Sequence, residues 1–324
     1  MECGSAYMAI CSVRLHRYEE LEMTLGYDRN LFILAFDHRG SFQKKMFGIP
    51  GDPDAAETAR IADAKSVIFD GFTHALSEGA PVDAAGILVD EQFGAEVARK
   101  ALANGWIAAM PVEKSGLAYF DFEYGDDFGR HIEEFDPSFA KVLVRYNPEG
   151  DAGDNRRSVE NLRRLSDWLH EHDRKFLLEL LVPAEPHQLE AAGGSEERYD
   201  EEARPALMCA TLEHFQGAGV EPDIWKIEGI DLRSDCERIA AQARAGGRDG
   251  VGCVVLGRGA DAEKVEHWLG QGAAVRGYLG FAIGRTLWWD ELKGYLDGSL
   301  SREDAAAKIS GNYRRAIAVY EGAA

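Results

Sequence analysis

Lysine is uncommon inside a β-strand, because a buried and uncompensated charge costs several kcal/mol. The segment Pro222-Asp223-Ile224-Trp225-Lys226-Ile227-Glu228 places one in an otherwise strand-like run. Side chains alternate between the faces of a strand, so Trp225 and Ile227 share one face and Lys226 and Glu228 the other. A lysine held in a low-dielectric site beside other cations gives up its proton and attacks carbonyls, which is nucleophilic, Schiff-base chemistry. The plainer alternatives are a Lys226–Glu228 ion pair or a lysine reaching out to solvent. Glu179 is equally out of place, alone in the aliphatic run Phe176-Leu177-Leu178-Glu179-Leu180-Leu181. Beside the lysine it would serve as a proton-transfer group. Lys141, Leu143 and Arg145 share one face of another run, bringing one or both cations toward the same space, while Asp37 and Asp90 end two more apolar runs.

Two turns carry the features of an oxyanion site. Val255-Leu256-Gly257-Arg258-Gly259-Ala260 and Ala282-Ile283-Gly284-Arg285-Thr286 each join an apolar run to a helical pattern through glycine and arginine. Glycine lets backbone N–H groups approach an anion, a helix N-terminus adds partial positive charge, and arginine supplies a forked donor. Gly257, Arg258, Gly284 and Arg285 are therefore phosphate-binding candidates.

These residues need a scaffold that brings strand ends together. Strand-like runs occur at Leu31–Asp37, Ala85–Asp90, Trp106–Pro111, Lys141–Asn147, Phe176–Val182, Asp223–Glu228, Gly252–Gly257 and Gly277–Ala282. Helical periodicity lies near 55–79, 94–104, 155–173, 201–218, 234–245, 261–271, 286–297 and 302–321, with Ser301 and Asp304 as a capping box for the last. Eight strands alternating with helices, and no Pro/Ser-rich linker, predict an α/β fold of one domain, a closed (β/α)8 TIM barrel over residues 27–324. Its catalytic face is the C-terminal end of the strands, where Lys226, Asp37 and both arginine turns fall. The acidic, aromatic stretch 113–137 lacks a clean helical period and reads as a long loop over that face, equally a lid or a packing detail. The stretch 184–200 reads as a second loop on the same side. Residues 1–26 match none of this and read as an N-terminal extension, with Met23 an alternative start.

Composition narrows the partners. A chain of 324 residues with 36 Lys+Arg, 56 Asp+Glu and a formal charge of −20 repels nucleic acid and anionic membrane surfaces. An anionic substrate must then be met by cations gathered locally. No run approaches the roughly 20 apolar residues that span a bilayer, and Ala6–Val13 lacks the basic flank of a signal peptide. The five cysteines, Cys3, Cys11, Cys209, Cys236 and Cys253, are scattered and form no CxxC pair, so reduced thiols in a cytoplasm are expected.

Several segments together resemble a known family. Leu34-Ala35-Phe36-Asp37-His38-Arg39-Gly40, Val89-Asp90-Glu91-Gln92-Phe93-Gly94, Glu113-Lys114-Ser115-Gly116, Trp225-Lys226-Ile227-Glu228 and Gly280-Phe281-Ala282-Ile283-Gly284-Arg285 look like the class I aldolases related to tagatose-1,6-bisphosphate aldolase. The resemblance covers residues 28–324. Leu256-Gly257-Arg258-Gly259-Ala260-Asp261, Gly284-Arg285-Thr286-Leu287-Trp288-Trp289 and Asn312-Tyr313-Arg314-Arg315 resemble more closely the aldolase-like domain of inositol catabolism. That domain often follows a 5-dehydro-2-deoxygluconokinase module, and a free-standing version is implied here. The resemblance implies Lys226 as Schiff-base lysine, Glu179 as the strand-five acid, with Lys141 and Asp37 orienting hydroxyls. Arg285, Gly284, Arg258, Gly257, Arg39, Arg145, Glu228 and Asp90 complete the candidate substrate contacts.

The implied reaction is cleavage of 2-deoxy-5-keto-D-gluconate 6-phosphate to dihydroxyacetone phosphate and malonate semialdehyde, with no metal and no cofactor. Tagatose 1,6-bisphosphate or a sulfonated ketose is the alternative substrate. The expected partner is a small phosphorylated sugar, with a homo-oligomer permitted and neither nucleic acid nor membrane. Two rivals remain at this level. One is a metal-dependent aldolase or isomerase using Asp37, His38, Asp90, Glu91 and Glu228, which lack recognisable ligand spacing. The other is a non-catalytic sugar-phosphate-binding barrel, which needs both arginine turns but no reactive lysine.

Overall fold

The computed structural model describes residues 25–323. The reading of residues 1–26 as an extension, with Cys3 and Cys11, falls almost wholly outside them. The described residues form one closed barrel of parallel strands in sequential order, β1 (Leu31–Ala35), β2 (Ala85–Leu88), β3 (Ile107–Pro111), β4 (Phe139–Arg145), β5 (Phe176–Leu181), β6 (Ile224–Glu228), β7 (Gly252–Leu256) and β8 (Tyr278–Ile283), with β8 pairing back onto β1. All eight expected strands are present. β4 starts two residues early, at Phe139.

Alternation along each strand makes two separate cores. Ile33, Ala35, Leu88, Ala109, Phe139, Leu177, Ile224, Val254 and Ala282 fill the inside of the barrel. Phe32, Leu34, Ile87, Leu178, Trp225, Ile227, Val255 and Phe281 face the helices. Each Val, Leu, Ile or Phe among them removed from water is worth about 1.5–3 kcal/mol, so the register is fixed on both faces. Slipping β6 by one residue would drive Trp225 into the barrel and Lys226 among the helices. The seam between β1 and β8 is tight: at Gly280, φ is +148°, and a Cβ would lie 2.0 Å from the Leu31 carbonyl oxygen. Only glycine closes the barrel there.

The surrounding helices follow the expected periods. α1 (Gly40–Phe47) comes from the β1 loop, and α2 (Ala55–Ser77) begins at an Asp54–Glu57 capping box and buries Ile61, Ala64, Lys65, Ile68, Phe72 and Ala75 along one stripe. α3 (Glu91–Ala103), α5 (Ala152–Glu171), α8 (Arg204–Gly217), α9 (Arg233–Ala243), α10 (Ala262–Ala273) and α11 (Arg285–Leu296) cover β2 to β8. The last helix, α12 (Arg302–Ala323), packs on α2, and the Tyr313 hydroxyl donates to the Phe32 carbonyl at 2.5 Å. At its start the Ser301 hydroxyl accepts from the Asp304 N–H at 3.0 Å.

Two loop expectations need correction. Within 113–137 the chain forms α4 (Phe128–Phe135), preceded by a hairpin in which Glu113 and Phe122 pair antiparallel. Phe128, Ile132 and Phe135 are buried at helical spacing, and Phe122 stacks on Phe128 with centroids 4.3 Å apart. The acids interleaved with these residues hide a helix only eight residues long. Within 184–200 the chain forms α6 (Pro186–Ala191) and α7 (Glu196–Glu202). Both are too short for a hydrophobic period to show. No helix among the described residues is long and apolar enough to cross a membrane.

Candidate active site

The C-terminal ends of the strands surround a cavity of about 1130 Å³. Strand pairing sets its floor: Glu179 on β5 sits opposite Lys226 on β6, and Leu143, two residues above Lys141, sits opposite Glu179. Long side chains from β4, β5 and β6 there meet those of Asp37 and Glu113, which lie just past the ends of β1 and β3. Lys141 Nζ lies 2.7 Å from Asp37 Oδ2, 3.0 Å from Glu113 Oε1 and 3.0 Å from Glu179 Oε2. Lys226 Nζ lies 3.0 Å from that same Glu179 oxygen. Lys226 is 2 % exposed, Lys141 1 % and Glu179 5 %. The chain of contacts runs Asp37 and Glu113 to Lys141, to Glu179, to Lys226.

The two lysines differ in their company. Burial alone would discharge Lys141, but Asp37, Glu113 and Glu179 outweigh it and push its pKa well above the ordinary lysine value. Lys141 is a permanent ammonium. Lys226 shares a single carboxylate, among the described residues, and lines the open cavity. Burial pushes Glu179 up, yet Lys141 and Lys226 prevail and hold it below its usual range. Asp37 is likewise held far below its usual range by Lys141, His38 and Lys226 against burial. Glu113 moves the other way: burial dominates over Lys141 and Arg39 and raises it.

The remaining candidates divide into those facing the cavity and those held elsewhere. Arg285 lines the cavity, donates to the Arg258 carbonyl at 3.1 Å, and has no carboxylate partner among the described residues. It opens α11, whose N-cap, Gly284, supplies no side-chain cap; the Leu287 N–H is taken by the Gly284 carbonyl at 2.9 Å, which leaves the Arg285 and Thr286 N–H groups for another acceptor. A Cβ on Gly284 would sit 2.6 Å from the Ala35 carbonyl oxygen and 3.0 Å from His38 Cε1. Arg145 is exposed at the mouth, above the buried Lys141.

Asp90 and Gly257 are corrected, since they do not line the cavity, while Arg39, Glu228 and Arg258 line it but are engaged by protein groups. Asp90 is fully buried off the cavity, where it accepts from Lys65 Nζ and from the Phe93 N–H at 2.9 Å, capping α3. Arg39 borders the cavity, but its guanidinium is taken up by Glu123 at 2.8 Å and the Glu113 carbonyl at 2.6 Å, tying the 113–122 hairpin to β1. Glu228 does not pair with Lys226. It accepts from the Val182 N–H at 2.8 Å and meets Arg258 at 3.1 Å and Arg204 at 3.5 Å. Gly257 packs beneath Ile283, and the cavity wall there is Arg258 and Gly259. Arg258, at φ 50°, is held between Glu228 and Asp200 and so is already neutralised.

Sequence reasoning missed Glu113, Arg204 and Asp200 as members of these networks. Glu113 had a signal, since it follows β3 almost directly, as Asp37 follows β1. Arg204 and Asp200 had none, because they lie in a stretch rich in charged residues. The carboxylates of the metal reading do not converge: Asp37 meets Lys141, Asp90 meets Lys65, Glu91 meets His131 and Glu228 meets arginines. Cys209, Cys236 and Cys253 are free thiols.

The chain belongs to the DUF2090 family, described as an uncharacterized protein conserved in bacteria, whose model matches residues 12–324. No curated protein matches it in sequence. Among solved structures it is similar to fructose-bisphosphate aldolase of Plasmodium falciparum in complex with TRAP and an inhibitor (16% identity, 92% of each chain, TM-score 0.57). It is similar to the Corynebacterium glutamicum protein Cgl0159 (17% identity, 95% of this chain and 97% of that one, TM-score 0.54). A Schiff-base-forming fructose-1,6-bisphosphate aldolase matches at 16% identity over 89% of this chain and 94% of that one, with a TM-score of 0.52. At these identities the likeness is one of fold, a class I aldolase-like barrel.

Proposed function

We propose that this DUF2090 barrel is a class I aldolase that cleaves a ketose phosphate through a Schiff base on Lys226. The observation that carries the reading is the Lys226 amine, buried inside the barrel, 3.0 Å from Glu179 and open to the cavity. A lysine kept only for packing would not border a space large enough for a sugar phosphate. A binding barrel without chemistry would not need it.

Lys226 adds to the ketone, and the protonated imine draws the electron pair of the bond that breaks, the task a metal Lewis acid performs in other aldolases. Glu179, ionised and touching both lysines, removes the proton of the β-hydroxyl as that bond opens. Lys141, a fixed ammonium, and Asp37 orient hydroxyls and balance charge during the transfer. Arg285 and the uncapped start of α11 anchor phosphate, and Arg145 meets the outer end of the substrate.

The sequence resemblance supports 2-deoxy-5-keto-D-gluconate 6-phosphate as the substrate. Imine formation at C5 then breaks C3–C4 and releases dihydroxyacetone phosphate and malonate semialdehyde. Borohydride added during turnover is expected to fix the triose phosphate on Lys226, read by peptide mass, and chelator is expected to leave the rate unchanged. Label on another lysine would refute the role of Lys226. A panel of ketose phosphates, tagatose and fructose bisphosphates and a sulfonated ketose included, separates the substrates by triose phosphate release.

A further inference from the structure

His38 follows the aspartate that holds Lys141 and lines the cavity on the side of Gly284 and Arg285. Its position is tightly set. The ring stands edge-on to Trp288 with centroids 5.7 Å apart, Cε1 lies 3.0 Å from where a Cβ on Gly284 would sit, and the His38 carbonyl accepts from the buried Lys65 Nζ at 3.0 Å. Yet among the described residues no hydrogen bond to either ring nitrogen is formed, and Nδ1 is sealed from solvent as well. A side chain held this firmly with unused polar atoms calls for an explanation, and Nε2, unlike Nδ1, is not sealed off from the cavity that His38 lines.

Burial lowers the imidazole pKa to about 4, with Asp37 opposing and Arg285, Lys65 and Lys226 adding to the fall. The ring is neutral at pH 7 and carries one N–H. Setting that hydrogen on Nδ1 would bury a donor with no acceptor, which costs more than an unused lone pair. The hydrogen therefore belongs on Nε2, the nitrogen left to the cavity.

We infer that His38, as the neutral Nε2–H tautomer, is a catalytic hydrogen-bond donor to the substrate carbonyl oxygen while Lys226 adds to it. The inference rests on the aldolase reading. Glu179 first takes the proton of the Lys226 ammonium. The amine nitrogen then bonds to the carbonyl carbon, the π pair moves to oxygen, and the Nε2–H stabilises that charge without leaving His38. A proton passes from nitrogen to oxygen, giving the carbinolamine. Glu179 returns its proton as the hydroxyl departs as water, and the nitrogen lone pair closes the iminium. A neutral donor suits this step, since it stabilises the oxygen without competing with Glu179 for the proton.

The test uses dihydroxyacetone phosphate as probe, with timed borohydride quenching and the reduced Lys226 adduct read by mass. Removing the donor in His38→Phe is expected to slow adduct formation about 10²-fold. His38→Gln, which keeps an N–H at similar reach, is expected to recover at least about tenfold over His38→Phe, an outcome a merely structural role would not give. Independently of turnover, ¹⁵N NMR of the histidine ring at pH 7 is expected to show the Nε2–H form. An Nδ1–H tautomer, an imidazolium, or equal adduct rates in wild type and His38→Phe would overturn the role of His38 alone. Absence of any adduct on wild-type Lys226 would overturn the aldolase reading, and the role of His38 with it.

Discussion

Lys141→Met is the most direct probe of the ion cluster that frames the cavity floor. In the wild type one ammonium satisfies three carboxylates, at 2.7, 3.0 and 3.0 Å. Methionine fills a similar volume without the charge. Glu113 keeps Arg39 at 3.5 Å and Glu179 keeps Lys226 at 3.0 Å, but Asp37 loses the one ion-pair partner found for it among the described residues. Breaking a buried pair on one side costs about 3–5 kcal/mol. At a few degrees per kcal/mol, that predicts a fall in melting temperature on the order of 10 °C at pH 7. The pH dependence then follows. In the wild type Asp37 and Glu179 are held below their unfolded values, so they contribute stability above the ordinary carboxyl range that is lost as pH falls through their folded values. Without Lys141, burial dominates at Asp37 and raises its folded value above the unfolded one, so the variant recovers stability as pH falls. Thermal unfolding followed by circular dichroism at pH 7 and pH 5 should show the gap from wild type narrowing toward acid. A gap below about 2 °C at pH 7, or one that widens at pH 5, would show that Lys141 does not carry this charge balance.

Three further predictions address the site. Glu179→Gln should lower kcat by about 10²–10⁴-fold with a much smaller change in KM, as measured by triose phosphate release, because the amide cannot accept the hydroxyl proton. Arg285→Met should raise KM for a ketose phosphate by about tenfold or more, the worth of a charged hydrogen bond, while leaving the KM of an unphosphorylated ketose unchanged. Gly284→Ala should destabilise by about 1–3 kcal/mol in denaturant unfolding, since the added methyl would meet the Ala35 carbonyl at 2.6 Å.

Where sequence reading stopped has physical causes. Long amphipathic helices such as α2 and α12 announce themselves, because two or more turns repeat the apolar stripe. α4, α6 and α7 do not, being eight, six and seven residues long, too short for an apolar stripe to repeat. Asp90 and Asp37 look equivalent as acids closing apolar runs. They part only because Lys65, from α2, reaches under β1 and takes Asp90, along with the carbonyls of Phe36 and His38. No local pattern marks a partner 25 residues away on a helix.

By itself, the sequence determined the barrel and the inward direction of Lys226, with Glu179 on the neighbouring strand, because strand alternation and the cost of burying charge are local rules; it left open whether Lys141 or Arg145 reaches the same space. Only the tertiary structure decided which charges cancel. Lys141 rather than Arg145 took three carboxylates, Arg39 closed a hairpin, Arg258 fell between Asp200 and Glu228, and Arg285 was left without a carboxylate among the described residues. Ion pairing depends on ångström distances between residues far apart in the chain, and those distances exist only once the barrel has closed.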